Sequence, residues 1–295
     1  MRKITIFILL TAFLMLFAGC NSTQPAQVAA TTAPVYQFAT KLCAGTDISV
    51  TRLVTENVSC LHDYTLQTSQ MRAIENADVV IISGAGLEAF LDEALLNARM
   101  KIDASEGITF ICNESEREHE HGHNHNTHSH SEDPHIWLSP TNAKIMAQNI
   151  CAGLSSLYPQ HKDTFEHNLS QLQYDLDALG KYASNQLANL SVRKIITFHD
   201  GFGYMAQAFD LEILHAIEEE SGREASAAEI INIANIVTKN NLPCIFVESN
   251  GSTSAAQITS RETGTQIYEL DMAMSERDYF SAMYHNIDTL KEALK

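Results

Sequence analysis

The chain has 295 residues, 45% of them apolar, with 19 basic against 36 acidic residues and a formal charge of −17. That is enough apolar material for a real core in two lobes of ordinary size, which excludes a disordered tail. Phosphate binding needs basic patches and none is found, so nucleic acid is excluded as a partner, and the acidic surface otherwise bears on solubility.

Arg2 and Lys3 precede an uncharged, mostly apolar run from Ile4 to Phe17, too short to span a bilayer comfortably and proportioned like a signal-peptide core. "LFAGC" follows, and its small Ala18 and Gly19 before Cys20 resemble the lipobox of bacterial lipoproteins, in which cleavage leaves the cysteine as a lipidated N-terminus. The plainer alternative is a secretory signal with an incidental cysteine. Residues 21–34, "NSTQPAQVAATTAP", lack charge and read as a flexible tether, so the folded part is expected to start near Val35, outside the cytoplasmic membrane.

Short apolar runs then alternate with helical patterns, the sequence form of α/β sheets with crossover helices. Strands are expected at 47–54, 78–83 and 108–112 and helices at 69–77 and 86–98, with another helix opening at Ser139-Pro140. From about His161 to Leu190, apolar residues from Phe165 through Leu172, Leu179 and Leu187 recur at three- and four-residue steps. This predicts one helix of about eight turns, or roughly 45 Å, long enough to run along two lobes as a rigid spine. Coiled-coil pairing is the alternative for that stripe. Beyond it, strands at 194–198, 211–217, 244–249 and 267–270 alternate with helices at 226–240 and 254–264, and a last helix closes the chain. No fixed short repeat is present, which excludes solenoids and propellers.

Besides Cys20 there are five cysteines, Cys43, Cys60, Cys112, Cys151 and Cys244, an odd number with no C-x-x-C. Cys43 and Cys60 flank one expected strand and could bridge, or each could be a buried free thiol.

Three patterns compete as the seat of chemistry. "HEHGH" matches H-E-x-x-H through His119, Glu120 and His123, but that chemistry needs a regular helix, and Gly122, Asn124, Asn126 and Ser129 interrupt the segment. "GAGLEA" matches a dinucleotide fingerprint through Gly84, Gly86 and Ala89. Glu88, however, would put a carboxylate where a pyrophosphate should sit, so the glycines read as turn geometry. The third pattern is a set of single residues placed just after strands or apolar runs: His62 in "CLHDY", His135 in "DPHIWL", His199 in "TFHDG" and Asp271 in "ELDMA". Ligands of open α/β sheets sit beyond the carboxyl ends of the strands, so these four, two from each lobe, can converge in one cleft. Each alone is equally a hydrogen-bonded structural residue, and Asp63, Asp133 and Asp200 beside them read as orienting groups or turn residues.

Taken together, "CLHDYTLQTSQMRAIENADVVIISGAGLEAFLD", "DPHIWLSP", "TFHDGFGYMAQAF" and "ITSRETGTQIYELD" resemble the zinc/manganese solute-binding lipoproteins of bacterial ABC importers, the zinc-uptake branch in particular. The resemblance runs from about residue 35 to 295. It implies two Rossmann-like α/β lobes joined by one long rigid helix, with a metal ion in the interlobe cleft on His62, His135, His199 and Asp271. His199 stands where the manganese branch usually has a carboxylate, and three imidazoles with one carboxylate suit four-coordinate Zn²⁺ better than Mn²⁺. Two positions depart from the family pattern: Cys60 replaces a common Pro, and "LDMAM" replaces "LDPL".

The expected layout is a signal peptide (1–19), a tether (20–34), a first lobe (35–160), a linking helix (161–190) and a second lobe (191–295). The first lobe carries a histidine-rich loop (118–131). In that loop His119, His121, His123, His125, His128 and His130 lie among acidic and small polar residues, a weak chelator of the kind several zinc-branch members carry before "DPH". The implied role is that of a non-enzymatic monomer, anchored through a lipid on Cys20 to the outer face of the membrane. It would capture zinc for a permease and its ATPase, with affinity falling below about pH 6 as histidines protonate. The competing class is a zinc hydrolase with three His ligands, Asp63 or Asp200 as base and an open fourth position, which Asp271 would close. A surface adhesin is compatible with the anchor but has no sequence support of its own.

Overall fold

The computed structural model describes residues 27–55, 61, 64–111, 132–217, 225–275 and 277–295. Four short strands make the first sheet: β1 (Gln27–Ala30), β2 (Ser49–Arg52), β3 (Val79–Ile82) and β4 (Lys101–Asp103). They are all parallel, in the order β2-β1-β3-β4. β3 reads VVII and is buried throughout, as befits a central strand covered on both faces. Its crossovers include α1 (Ala33–Leu42), α2 (Thr68–Asn76) and a short α3 (Asp92–Leu95).

The chain then makes α4 (Pro140–Leu157), which starts with Pro140 in its first turn and the Ser139 side chain accepting from the Asn142 N–H. After a turn at Pro159–His161 comes α5 (Lys162–Gln186), 25 residues and so about 37 Å long. It buries Phe165, Leu172, Leu176, Leu179 and Ala183 on one stripe. α5 packs on α1 and α4 of the first lobe and on α9 (Tyr279–Ala293) of the second, so it is the spine expected from its periodicity.

The second lobe repeats the plan. β5 (Lys194–Thr197), β6 (Glu212–Ala216), β7 (Cys244–Glu248) and β8 (Gln266–Leu270) form a parallel sheet in the order β6-β5-β7-β8. Its helices are α6 (Gly203–Ala208), α7 (Ala227–Asn240), α8 (Ser254–Thr263) and α9. A capping box of Ser226 and Glu229 starts α7, and Asp278 caps α9 by accepting from the Phe280 and Ser281 N–H groups. One buried cluster joins the lobes, running from Phe38 and Trp137 through Leu172 to Ile195, Phe246 and Tyr279. No helix among the described residues is long and apolar enough to cross a membrane.

Three sequence expectations are corrected. The tether does not reach residue 34: Gln27–Ala30 is an inner strand of the first sheet, with Ala29 and Ala30 buried, and α1 starts at Ala33. Small residues read as low complexity are the ones that fit between packed neighbours. Ile108–Ile111 is not a strand; the fourth strand is Lys101–Asp103, and Phe110 and Ile111 pack against the core instead. The helix expected at 86–98 shrinks to a single turn at Ala89–Leu91 and α3, because residues 84–88 form a tight turn. Cys43, Cys151 and Cys244 are buried free thiols, and Cys60 lies outside the described residues. Burial pushes the Cys43 and Cys244 thiols up to about 12, which keeps them protonated and inert.

Candidate metal centre

Strand order reverses within each sheet between its first and third strands, β1 and β3 in one lobe and β5 and β7 in the other, the place where open sheets bind ligands beyond the carboxyl ends of their strands. His199 lies two residues past β5, Glu248 ends β7, and Asp271 follows β8 directly. From the first lobe, His135 precedes a turn, Ile136–Leu138, whose three side chains are fully buried and so fix the backbone. The Trp137 indole N–H donates to the Met272 carbonyl at 2.7 Å, and the Tyr279 hydroxyl donates to the Trp137 carbonyl at 2.8 Å. The two lobes are thus tied together next to the site.

The two imidazoles meet edge to face, with centroids 5.2 Å apart and planes at 81°. Each has a buried carboxylate on its Nδ1 side. Asp133 Oδ1 lies 2.8 Å from His135 Nδ1 and also accepts the His135 backbone N–H at 2.9 Å. Glu248 Oε2 lies 3.7 Å from His199 Nδ1. At 2.8 Å, Asp133 holds the proton on His135 Nδ1 and leaves the His135 Nε2 lone pair for a metal ion, whereas Glu248 faces His199 without a hydrogen bond at that distance. Burial pushes the Glu248 carboxyl up to about 8, and repulsion from Asp271 adds to it. A cation between these groups would relieve that repulsion.

Glycine makes the close approach possible. A Cβ on Gly201 would lie 2.6 Å from His199 Cδ2 and 2.7 Å from Met272 Cε, and one on Gly203 would lie 2.8 Å from Asp133 Oδ2. Asp271 is itself held: its N–H donates to Asn286 Oδ1 and its carbonyl accepts from Asn286 Nδ2, each at 2.7 Å. Its Oδ1 accepts the Ala273 N–H at 2.8 Å, and its Oδ2 faces Arg277 Nη1 at 3.3 Å.

Of the expected site residues, His135, His199 and Asp271 therefore lie at the interlobe face, with the first two in contact. His62, Asp63, Cys20 and the loop histidines from His119 to His130 lie outside the described residues. Among the described residues no three His, Cys, Asp or Glu side chains stand close enough to hold one metal ion together. The described donor set is partial, and it pairs imidazole with carboxylate, a chemistry that suits divalent transition metals, zinc among them.

"GAGLEA" is a turn. Gly84 and Gly86 have φ of +83° and +79°. Glu88 folds back so that its carboxylate accepts the Ser83 N–H at 2.7 Å, the Gly84 N–H at 3.0 Å and the Thr31 hydroxyl at 2.6 Å. The chain's own carboxylate fills the place of a phosphate. Sequence reasoning missed Glu248, Gly201 and Arg277. For Glu248 a signal existed: it is the one charged residue of the otherwise apolar "CIFVE".

Comparison with known proteins bears on the chain as a whole. The family model described as zinc-uptake complex component A, periplasmic (ZnuA), matches residues 28–293. The zinc-binding lipoprotein AdcA of Streptococcus pneumoniae serotype 4 is 29% identical over 307 residues, covering 99% of this chain but only 61% of AdcA. The metal ABC transporter substrate-binding lipoprotein ScbA of Streptococcus cristatus is 27% identical over 320 residues, covering 100% of this chain and 99% of ScbA. A crystal structure of ZnuA superposes with a TM-score of 0.78 at 28% identity, covering 92% of this chain and 100% of that one. The chain belongs to the ZnuA family, the periplasmic A components of zinc-uptake complexes.

Proposed function

We propose that this protein captures Zn²⁺ outside the cytoplasmic membrane and delivers it to a membrane permease driven by a cytoplasmic ATPase, and that His62, His135, His199 and Asp271 are the ligands. The observation that carries the ligand reading is the contact between two imidazoles from opposite lobes, each with a buried carboxylate on its Nδ1 side. Such carboxylate–histidine pairs orient metal-binding imidazoles and raise their basicity. Three imidazoles and a carboxylate favour zinc over manganese, which prefers more oxygen. The printed names of the relatives, a zinc-binding lipoprotein and a metal transporter component, support the same reading. Cys20, as a lipidated N-terminus, would anchor the protein to the outer face of the membrane as a monomer, and the histidine-rich loop would collect metal as an accessory.

Metal analysis of the purified mature protein, with a competition titration of zinc against manganese, tests this reading. One zinc held tightly and little displaced by manganese is expected. Preferential retention of manganese would overturn the zinc assignment.

A further inference from the structure

Beside Asp271 stands a cation that belongs to the protein. Arg277 Nη1 lies 3.3 Å from Asp271 Oδ2, while Asp271 Oδ1 accepts the Ala273 N–H. The pair is asymmetric in exposure: the Asp271 side chain is 8% exposed and that of Arg277 is 47%.

The backbone around Arg277 is fixed to the other lobe. Gln37 donates to the Arg277 carbonyl at 3.1 Å and accepts the Tyr279 N–H at 2.6 Å. Arg52 donates to the carbonyls of Met274 at 3.0 Å and Ser275 at 3.3 Å. The Arg277 N–H donates to Ser275 Oγ at 3.2 Å. Thus the guanidinium can leave Asp271 by side-chain rotation alone, into water it already half faces, without disturbing the loop. Asp271 stays in place when it does, because Asn286 and the Ala273 N–H hold it independently.

We infer that Arg277 is a resident counter-cation of Asp271, holding the carboxylate oxygen Oδ2 in the metal-free protein and giving it up as a divalent cation arrives. The inference rests on the reading of Asp271 as a ligand. Without such a partner, Asp271 would be a buried carboxylate next to a second buried acid, Glu248, an arrangement that destabilises the empty protein. With it, metal entry exchanges one cation for another. Arg277 therefore stabilises the empty state, weakens zinc binding and speeds zinc release, which suits a protein that must hand over its cargo.

The test is a double-mutant cycle on the purified mature protein, with zinc affinity read by competition against a fluorescent chelator and dissociation by stopped flow. Arg277→Gln is expected to tighten zinc binding about tenfold and slow release, the weight of one charge-assisted contact half in water. In an Asp271→Asn background, which alone weakens binding, Arg277→Gln is expected to change nothing. An unchanged or weaker affinity for Arg277→Gln in the parent chain would overturn the inference. So would equal tightening in both backgrounds, since that would mark a diffuse field effect in place of competition for Asp271. If Asp271→Asn binds zinc as tightly as the parent, the ligand reading fails first and the Arg277 role fails with it.

Discussion

Two buried glutamates stand at the carboxyl ends of equivalent strands, Glu88 beyond β3 and Glu248 at the end of β7, and they are dressed differently. Glu88 accepts two backbone N–H groups and the Thr31 hydroxyl. Burial pushes its carboxyl up to about 7 although these donors pull it down. Glu248 faces the His199 ring, and repulsion from Asp271 adds to burial in pushing it up to about 8. One acid closes the first lobe's turn with its own chain; the other is turned toward groups that would coordinate an ion. Both acids are buried, although Glu88 comes after a turn and Glu248 is the last residue of its strand, so what separates a structural carboxylate from one serving a site is where its donors come from.

This contrast can be broken most severely at the glycines. Gly84 has φ +83°, and a Cβ there would lie 2.1 Å from Asp103 Oδ1 and 2.2 Å from Ser105 Oγ. Gly84→Ala should lower stability by about 3 kcal/mol or more, read by chemical denaturation, through strain and overpacking together. Glu88→Ala orphans two buried N–H groups and a hydroxyl and should lose about 3 kcal/mol at pH 6, with zinc affinity of the folded protein within a few-fold of the parent. Glu248→Ala should do the opposite: zinc affinity falls about 10- to 100-fold, as loss of a group that orients a ligand does, while denaturation midpoints move little. Gly201→Ala, whose Cβ would crowd His199 and Met272, should weaken zinc binding about tenfold, since a ligand misplaced by a fraction of an ångström is a poorer ligand.

A further effect is one of pH. The Glu88 carboxyl rises on folding from an ordinary 4.5 to about 7, so between those values the folded chain holds a proton that the unfolded chain has released. Stability therefore falls as pH rises from 4.5 to 7 and levels off above. Glu88→Gln should flatten that slope, read as denaturation midpoints across pH 4.5 to 8; an unchanged slope would mean that Glu88 is ionised throughout.

Much of the fold is legible in the chain because its signals are local. The spine α5 shows in a repeated apolar step, β3 and β7 in continuous β-branched and aromatic runs, and α7 in its capping box. The elements that were misread owe their state to partners far away in sequence. β4 has three residues, only one of them buried, and is a strand because β3 lies beside it. β1 uses alanines, which carry no strand signal, because the centre of the sheet leaves room for little else. The site divides in the same way. His135 and His199 are legible from their places at the ends of apolar runs, and Asp133 from standing next to His135. Arg277 is not legible, because its meeting with Asp271 depends on a turn at Ala273 with φ +56° and on first-lobe side chains more than 200 residues earlier.

The central claim is that the ion is held between the lobes by individual histidines and not by the conspicuous histidine-rich loop. The direct measurement is zinc calorimetry on three forms of the mature protein: His135→Ala, His199→Ala and a deletion of residues 118–131. Loss of affinity by orders of magnitude in both substitutions, with the deletion nearly as tight as the parent, is the predicted result. Tight binding that survives the substitutions and vanishes with the deletion would contradict it.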